Sequence, residues 1–144
     1  DVWCPINTQN TAYLAELLPL MFVSPFAGRY DDIISGYLMR AVLDLHEIYV
    51  SYGNPLVYQD RNPHNLVTDL KNEINGMSIC DELTSQLKDF SQKSQKGATL
   101  ADTYLLVIDY IKSTDLYAHD NFIRTIIDGS EFWCRDYQSM VEKI

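Results

Sequence analysis

The sequence contains little cysteine and no long hydrophobic run. Its three cysteines, Cys4, Cys80 and Cys134, lie far apart, and no Cys-x-x-Cys pair or Cys/His cluster occurs. This pattern argues against a disulfide scaffold and against a structural zinc site. A membrane-spanning run of about 20 apolar residues is missing, and the first residues do not show the basic and apolar pattern of a signal peptide, so we expect none. We therefore expect reduced thiols in a cytoplasmic protein that has no membrane partner.

Basic residues are also scarce, because 11 Lys and Arg stand against 20 Asp and Glu, which gives a net charge of −9. Such a surface repels nucleic acid and anionic membranes, so we expect neither as a partner. It also repels a diphosphate, and a nucleotide would need a metal ion or local basic groups to bind. The hydrophobic content of 47% and the length of 144 residues predict a single packed domain over residues 1–144.

Several catalytic signatures are absent: the sequence has no P-loop, no Gly-x-Gly-x-x-Gly, no Gly-x-Ser-x-Gly and no His-Glu-x-x-His. These absences argue against the common nucleotide-binding, α/β-hydrolase and zinc-protease classes. The chain starts with Asp1 rather than Met. From this start we expect a trimmed or processed chain, or a fragment of a longer reading frame.

Helical periodicity dominates the pattern of apolar residues. The clearest predicted helix covers about residues 32–47, where apolar residues recur at three- and four-residue steps and Asp31 and Asp32 cap the start. Two runs rich in β-branched and aromatic residues, 48–53 and 56–58, predict short strands. The other predicted helices cover residues 11–18, 66–74, 79–90, 100–111 and 119–141. The sequence thus predicts a mainly α fold with one or two short β-strands, an α+β class.

Four residues mark the predicted helix ends and irregularities. Asn10 is the expected cap of the first helix, and Pro19 is expected to end it. Gly76 should close the helix over 66–74, and Gly129 should kink the last helix. Two short strands make a poor sheet on their own. We therefore expect a missing N-terminal half or a second copy of the chain, in a homo-oligomer, to cover the surplus apolar surface.

Four sequence blocks in a fixed order carry a resemblance to known families. They are Cys4-Pro5-Ile6-Asn7 continuing as TQNTAYL, then GRYDDI at 28–33 followed by Gly36-Tyr37, then YGNP at 52–55, and NPHNL with its acidic continuation at 62–73. Together they resemble the plant reversibly glycosylated polypeptides, or UDP-arabinopyranose mutase family, and the STELLO-type glycosyltransferases. The resemblance covers about residues 4–75, and residues 76–144 form a helical extension without a recognised signal.

The resemblance implies the C-terminal, acceptor-side portion of a GT-A-type glycosyltransferase that uses a nucleotide-diphosphate sugar. The N-terminal half, which binds the nucleotide and carries an Asp-x-Asp metal motif, has no counterpart in this sequence. We therefore expect the chain to be inactive alone. Two alternatives stay open: a helical protein-interaction or self-associating module without catalysis, and an acidic sugar-binding domain.

The acidic pair at the start of the 32–47 helix matches the place where such enzymes hold the acceptor. The resemblance implies that Asp32 contacts the acceptor hydroxyl while Asp31 caps or orients. Two adjacent carboxylates also disfavour joint ionisation, which raises the pKa of one of them. The alternative is that both residues only cap the helix. Arg29 is expected either to pair with these acids or to contact a phosphate.

The remaining candidate site residues are short amides and loop cations. Asn7 and Asn10 match a region that lines the sugar in the related families, and amides suit hydroxyl recognition because they both donate and accept hydrogen bonds. His64 is the candidate ligand for a divalent metal such as manganese or magnesium, although a lone loop histidine is also an ordinary surface residue. Arg61 could help to neutralise a diphosphate. His46, at a helix end, is interpreted as structural.

Overall fold

The computed structural model describes residues 3–6, 10–54, 56–58, 60, 63 and 65–141, and these residues form an array of helices. A 3₁₀ helix at Ala15–Leu20 is followed by five α-helices. They are α1 (Asp31–Leu45), α2 (Leu66–Lys93), α3 (Leu100–Lys112), α4 (Asp115–His119) and α5 (Asn121–Val141). No helix in this part of the chain is both long enough and apolar enough to cross a membrane.

The predicted α+β class is wrong, because the structure assigns no strand to any described residue. The GT-A-like description of the fold fails with it. Segments 48–53 and 56–58 run without regular structure. β-Branched and aromatic residues favour strands only where a neighbouring strand accepts their hydrogen bonds and packs against them. In the 48–53 segment, Ile48 and Val50 instead pack against the helical core.

The way α1 ends explains why the chain is extended after it. Glu47 has a left-handed backbone, with φ of 56°. The amide of Ile48 donates to the carbonyl of Leu43 at 3.0 Å, and the amide of Glu47 donates to that of Asp44 at 3.3 Å. This pair of bonds is the Schellman motif, here with Glu in the position that Gly usually takes. This motif ends α1, and the residues that follow it are extended and pack Ile48 and Val50 against the core.

Helix α2 is one continuous element, whereas the sequence predicts two helices separated by Gly76. The side chain of Asn65 caps its start by accepting from the amides of Val67 and Thr68. Gly76 lies inside the helix and is buried. A glycine costs about 1 kcal/mol in a helix relative to Ala, but here the ring of Tyr30 occupies the space that a Cβ would need. The region of sequence resemblance, which ends at about residue 75, thus stops inside α2 and not at its end.

The two ends of the helical region also differ from the prediction. Near the N-terminus, a 3₁₀ helix that contains Pro19 replaces the expected helix over 11–18, and Asn10 lies in a turn outside it. Near the C-terminus, the expected helix over 119–141 is divided at Asp120, whose side chain accepts from the amide of Ile123. Gly129 lies inside the continuous helix α5, and a Cβ there would lie 2.5 Å from the ring of Phe22.

Helix α3 occupies the centre of the fold and packs against the other four α-helices and the 3₁₀ helix. Its N-terminus carries a capping box, in which Thr99 and Asp102 each accept from the other's amide. Four of its hydrophobic side chains are completely buried: Tyr104, Val107, Ile108 and Ile111. Full burial of an aliphatic or aromatic side chain stabilises a fold by about 1.5–3 kcal/mol. The most apolar predicted helix therefore becomes the core on which the others assemble.

Replacing Gly36 tests the close approach between α1 and the N-terminal segment. A Cβ at Gly36 would lie 2.8 Å from the carbonyl oxygen of Ile6 and 2.9 Å from its amide nitrogen. We expect Gly36→Ala to lower the free energy of unfolding by roughly 2 kcal/mol, since overpacking outweighs the gain in helix propensity. Urea denaturation measures the change. Gly53→Ala is the matched control, because nothing lies within 4 Å of its Cβ; equal effects of both substitutions would contradict the packing.

Candidate functional site

The start of α1 borders a pocket with a volume of about 640 Å³. The N-terminal segment forms one wall, the loop before α1 and the first turn of α1 form another, and α2 contributes one acidic side chain. The lining residues are Pro5, Ile6, Val23, Gly28, Arg29, Tyr30, Asp31, Asp32, Ile33 and Glu73. Three of the residues predicted to form the site, Arg29, Asp31 and Asp32, thus lie together. We call this cavity the carboxylate pocket.

Asp31 and Asp32 each bind the backbone through one carboxylate oxygen. Oδ1 of Asp31 accepts from the amide of Asp32 at 2.8 Å, and Oδ1 of Asp32 accepts from the amide of Ile33 at 2.9 Å. Both acids therefore complement the free amides and the positive end of the helix. Among the described residues, Oδ2 of neither carboxylate has a hydrogen-bonding partner. The N-cap residue of α1 is Tyr30, which makes no side-chain cap hydrogen bond. The two acids instead bind amides of the first turn, and each keeps an oxygen for a ligand.

Partial burial changes the acidity of Asp31. Burial raises the pKa of Asp31 above its ordinary value of 3.8, the hydrogen bond from the Asp32 amide opposes this rise, and the negative charge of Asp32 adds to it. A carboxylate that is partly desolvated binds a proton more tightly. Asp31 is therefore suited to accept a proton, whereas the sequence-based hypothesis assigned contact with the acceptor to Asp32.

Arg29 binds α2 and does not form an ion pair with the acidic pair. Its Nε donates to Oε1 of Glu73 at 2.8 Å, and its Nη1 donates to Oδ1 of Asp69 at 3.2 Å. Both contacts join residues at least 40 positions apart in the sequence. The guanidinium is half-exposed, so these ion pairs orient the side chain more than they stabilise the fold. Its charge is already balanced by two carboxylates, which reduces its capacity to attract a phosphate.

Tyr30 connects the pocket to the rest of the fold. Its backbone is left-handed, with φ of 79°, which is unusual for a residue with a large side chain. Its ring packs directly on Gly76 of α2. Burial, with the neighbouring thiol of Cys80 as the next contribution, raises the pKa of Tyr30 to about 12. Sequence reasoning missed Tyr30 and Glu73 as pocket residues. Gly76 was the one feature of the sequence that could have indicated a close contact on α2.

The other predicted site residues do not join this pocket. Asn10 is exposed in a turn and does not line it. Asn7, Arg61 and His64 lie outside the described residues. Within the described ranges, no three His, Cys, Asp or Glu side chains are grouped to hold a metal ion. The predicted metal site of His64 stays a prediction.

A second pocket of about 640 Å³ lies at the opposite end of α1, between the 3₁₀ helix, the start of α3 and the end of α5. His46 lines it and holds Thr103 through Nε2 at 2.7 Å. The hydroxyl of Thr103 donates to the carbonyl of Thr99 and accepts from the amide of Gly97. Nε2 of His46 is therefore the donor, which fixes the neutral tautomer. The structural interpretation of His46 agrees with this contact.

Searches with family models, with curated proteins and with solved structures found no match to this chain.

The pKa of Asp31 predicts a pH-dependent gain in stability on replacement by Asn. Because the folded state raises this pKa above 3.8, wild type loses stability relative to Asp31→Asn as the pH rises through the raised value. Asn retains the capping oxygen. Urea denaturation of both proteins between about pH 3.5 and 7 should show the variant gaining on wild type at higher pH. A constant difference, or one of opposite sign, would contradict the burial of this carboxyl.

The lowered pKa of His46 predicts a loss of folding stability at acidic pH. Burial, and secondarily the charge of Lys96, lowers the pKa of His46 below 6.5. The unfolded chain therefore binds the proton more tightly, and stability is lost as the pH falls below 6.5. His46→Gln should remove this loss while lowering stability at neutral pH by about 1 kcal/mol through the hydrogen bond to Thr103. Parallel denaturation profiles for wild type and variant between about pH 8 and 5.5 would refute the assignment.

Proposed function

We propose that the carboxylate pocket binds the hydroxyl groups of a sugar acceptor, and that the chain is the acceptor-side part of a nucleotide-sugar-dependent glycosyltransferase. The ordered blocks over residues 4–75 motivate the reaction class. The observation that carries the proposal is the joint presence of Asp31 and Asp32 in one pocket, each with an oxygen left over from capping.

The charges of the pocket favour a neutral polyol over a phosphate. Three carboxylates, Asp31, Asp32 and Glu73, line it together with one cation, Arg29. A diphosphate entering this space would meet net negative charge in surroundings that are partly shielded from water. Sugar hydroxyls, by contrast, donate to carboxylate oxygens without bringing charge. The nucleotide of the donor would therefore be held by a separate half, in agreement with an acceptor-side role.

For sugar transfer, the pocket has to supply a general base and to hold the acceptor hydroxyl in a fixed orientation. The acceptor hydroxyl oxygen attacks the anomeric carbon of the donor, and its proton passes to a carboxylate of the acidic pair. The bond from the anomeric carbon to the diphosphate breaks, and the nucleoside diphosphate leaves with the electron pair. A general base contributes typically 10²–10⁴-fold to such a step when its geometry is correct. Asp31, whose pKa is raised by burial, accepts the proton, and Asp32 orients the hydroxyl.

Binding of sugars tests the proposal directly. Thermal shift and calorimetry with neutral monosaccharides should show stabilisation, on the order of 2.7 kcal/mol at a hundredfold excess over Kd. The double variant Asp31→Asn/Asp32→Asn should bind at least about tenfold more weakly, because the amides keep the caps but lose the charge-assisted hydrogen bonds. UDP and inorganic diphosphate should bind much more weakly than the sugars.

Asp136→Asn is the matched control, since Asp136 is an exposed acid on α5 outside the pocket. It should leave sugar affinity unchanged. The proposal fails if no sugar binds, if the double variant binds as well as wild type, or if diphosphate competes for the pocket more strongly than the sugars do.

A further inference from the structure

The first half of α2 carries an apolar surface that no other described part of the chain covers. Five side chains remain half or more exposed: Leu66 at 78%, Val67 at 63%, Leu70 at 52%, Ile74 at 50% and Met77 at 51%. On a helix of 3.6 residues per turn they form one stripe, about 17 Å long. The buried positions of α2, among them Gly76, Ile79 and Leu83, lie on the other side. We call the exposed set the α2 stripe.

The spacing of the α2 stripe is that of a short coiled-coil seam. Val67, Leu70, Ile74 and Met77 follow one another at steps of three, four and three residues, which is the a, d, a, d order of two heptads. Both a positions hold β-branched residues, and the d positions hold Leu and Met. This choice at a and d favours two parallel strands. Two heptads are too short to form a regular repeat in the sequence, and only their exposure in the folded chain distinguishes them from core positions.

We propose that the α2 stripe pairs with the α2 stripe of a second copy of this chain, in parallel, to form a weak symmetric dimer. In that register, identical side chains meet at each layer, Val67 with Val67 and Leu70 with Leu70. No different partner is needed to complete the seam. None of the stripe residues lines the carboxylate pocket, so the dimer does not depend on the proposed function.

The residues beside the seam select the parallel arrangement. In a parallel pair the g position of one helix faces the e position of the next heptad. Leu66 then covers the stem of Lys71 of the second copy, and Glu73 faces Ser78, without any pair of like charges. An antiparallel pair would bring Lys71 near its own equivalent. Asp81 occupies the next a position, where two carboxylates would repel, so the seam ends after Met77.

The size of the α2 stripe limits the strength of the dimer. A standard interface buries about 800 Å² per partner through 20–30 residues, whereas the seam offers five side chains. Each copy also carries a net charge of −9, which opposes association. The dimer should therefore form only at high protein concentration and should strengthen with added salt, because salt screens the repulsion. A basic partner helix would show the reverse salt dependence.

Sedimentation equilibrium between about 10 µM and 1 mM tests the association. The mass of wild type should rise from 16.6 kDa toward twice that value, and more so at high salt. Leu70→Gln/Ile74→Gln should stay monomeric with an unchanged circular dichroism spectrum, because both side chains are half-exposed. Phe132→Gln, at an exposed apolar position on α5, is the matched control and should associate like wild type. A monomer throughout, or a dimer that persists in the double variant, would overturn the proposal.

Cross-linking tests the orientation in a background in which Cys4 and Cys80 are replaced by Ser. Leu70→Cys alone should form a disulfide-linked dimer with oxidised glutathione, since equivalent d positions face each other in the parallel pair. In an antiparallel pair residue 70 would face residue 74. Failure of Leu70→Cys to cross-link, together with efficient cross-linking of Leu70→Cys/Ile74→Cys, would therefore overturn the parallel arrangement.

Discussion

The packing of the Tyr30 ring on Gly76 fixes the position of α2 against the start of α1. No other residue than glycine leaves room for that ring inside the helix, and the left-handed backbone of Tyr30 aims the ring there. The ion pairs of Arg29 with Asp69 and Glu73 lie next to this contact and follow from it. Since Glu73 then borders the first turn of α1, the same contact also completes the carboxylate pocket.

Helix α2 consequently has two faces with different tasks. One face holds Tyr30 through Gly76 and buries Ile79, Leu83 and Leu87 in the core. The other face, in the first three turns, presents apolar side chains to solvent. A surface helix normally has one apolar stripe and a polar opposite side. An apolar stripe on the side away from the core is a feature of protein–protein contact surfaces, and it is independent of the chemistry of the pocket.

The two pockets also differ in their charged groups. The carboxylate pocket combines one guanidinium with three carboxylates, and burial raises the pKa of Asp31. The pocket near His46 holds a neutral imidazole, whose proton lies on the nitrogen that faces Thr103. The first arrangement suits hydrogen-bond donors such as hydroxyl groups. The second mainly ties the end of α1 to the start of α3, so we assign it a structural role.

Strong periodicity made α1 and α3 predictable from the sequence, within about two residues at each end. The predicted strands failed because the preference of 48–53 for extended structure was read without a partner strand. The predicted break in α2 failed because Gly76 was taken as a helix end, when its missing side chain serves a tertiary contact. The acidic pair was found through its position before a helix and the resemblance, whereas Glu73 offered no local signal.

The sequence by itself determined the helices with a regular apolar face and the acidic charge, because these depend on composition and on neighbours within a few positions. Only the tertiary structure decided that Gly76 lies inside a helix, that Arg29 pairs with α2, that Asp31 and Asp32 border a cavity, and that the α2 stripe stays uncovered. The physical reason is distance along the chain: Arg29 and Glu73 are 44 positions apart. Contacts of that kind follow from how the helices pack, which no local pattern encodes.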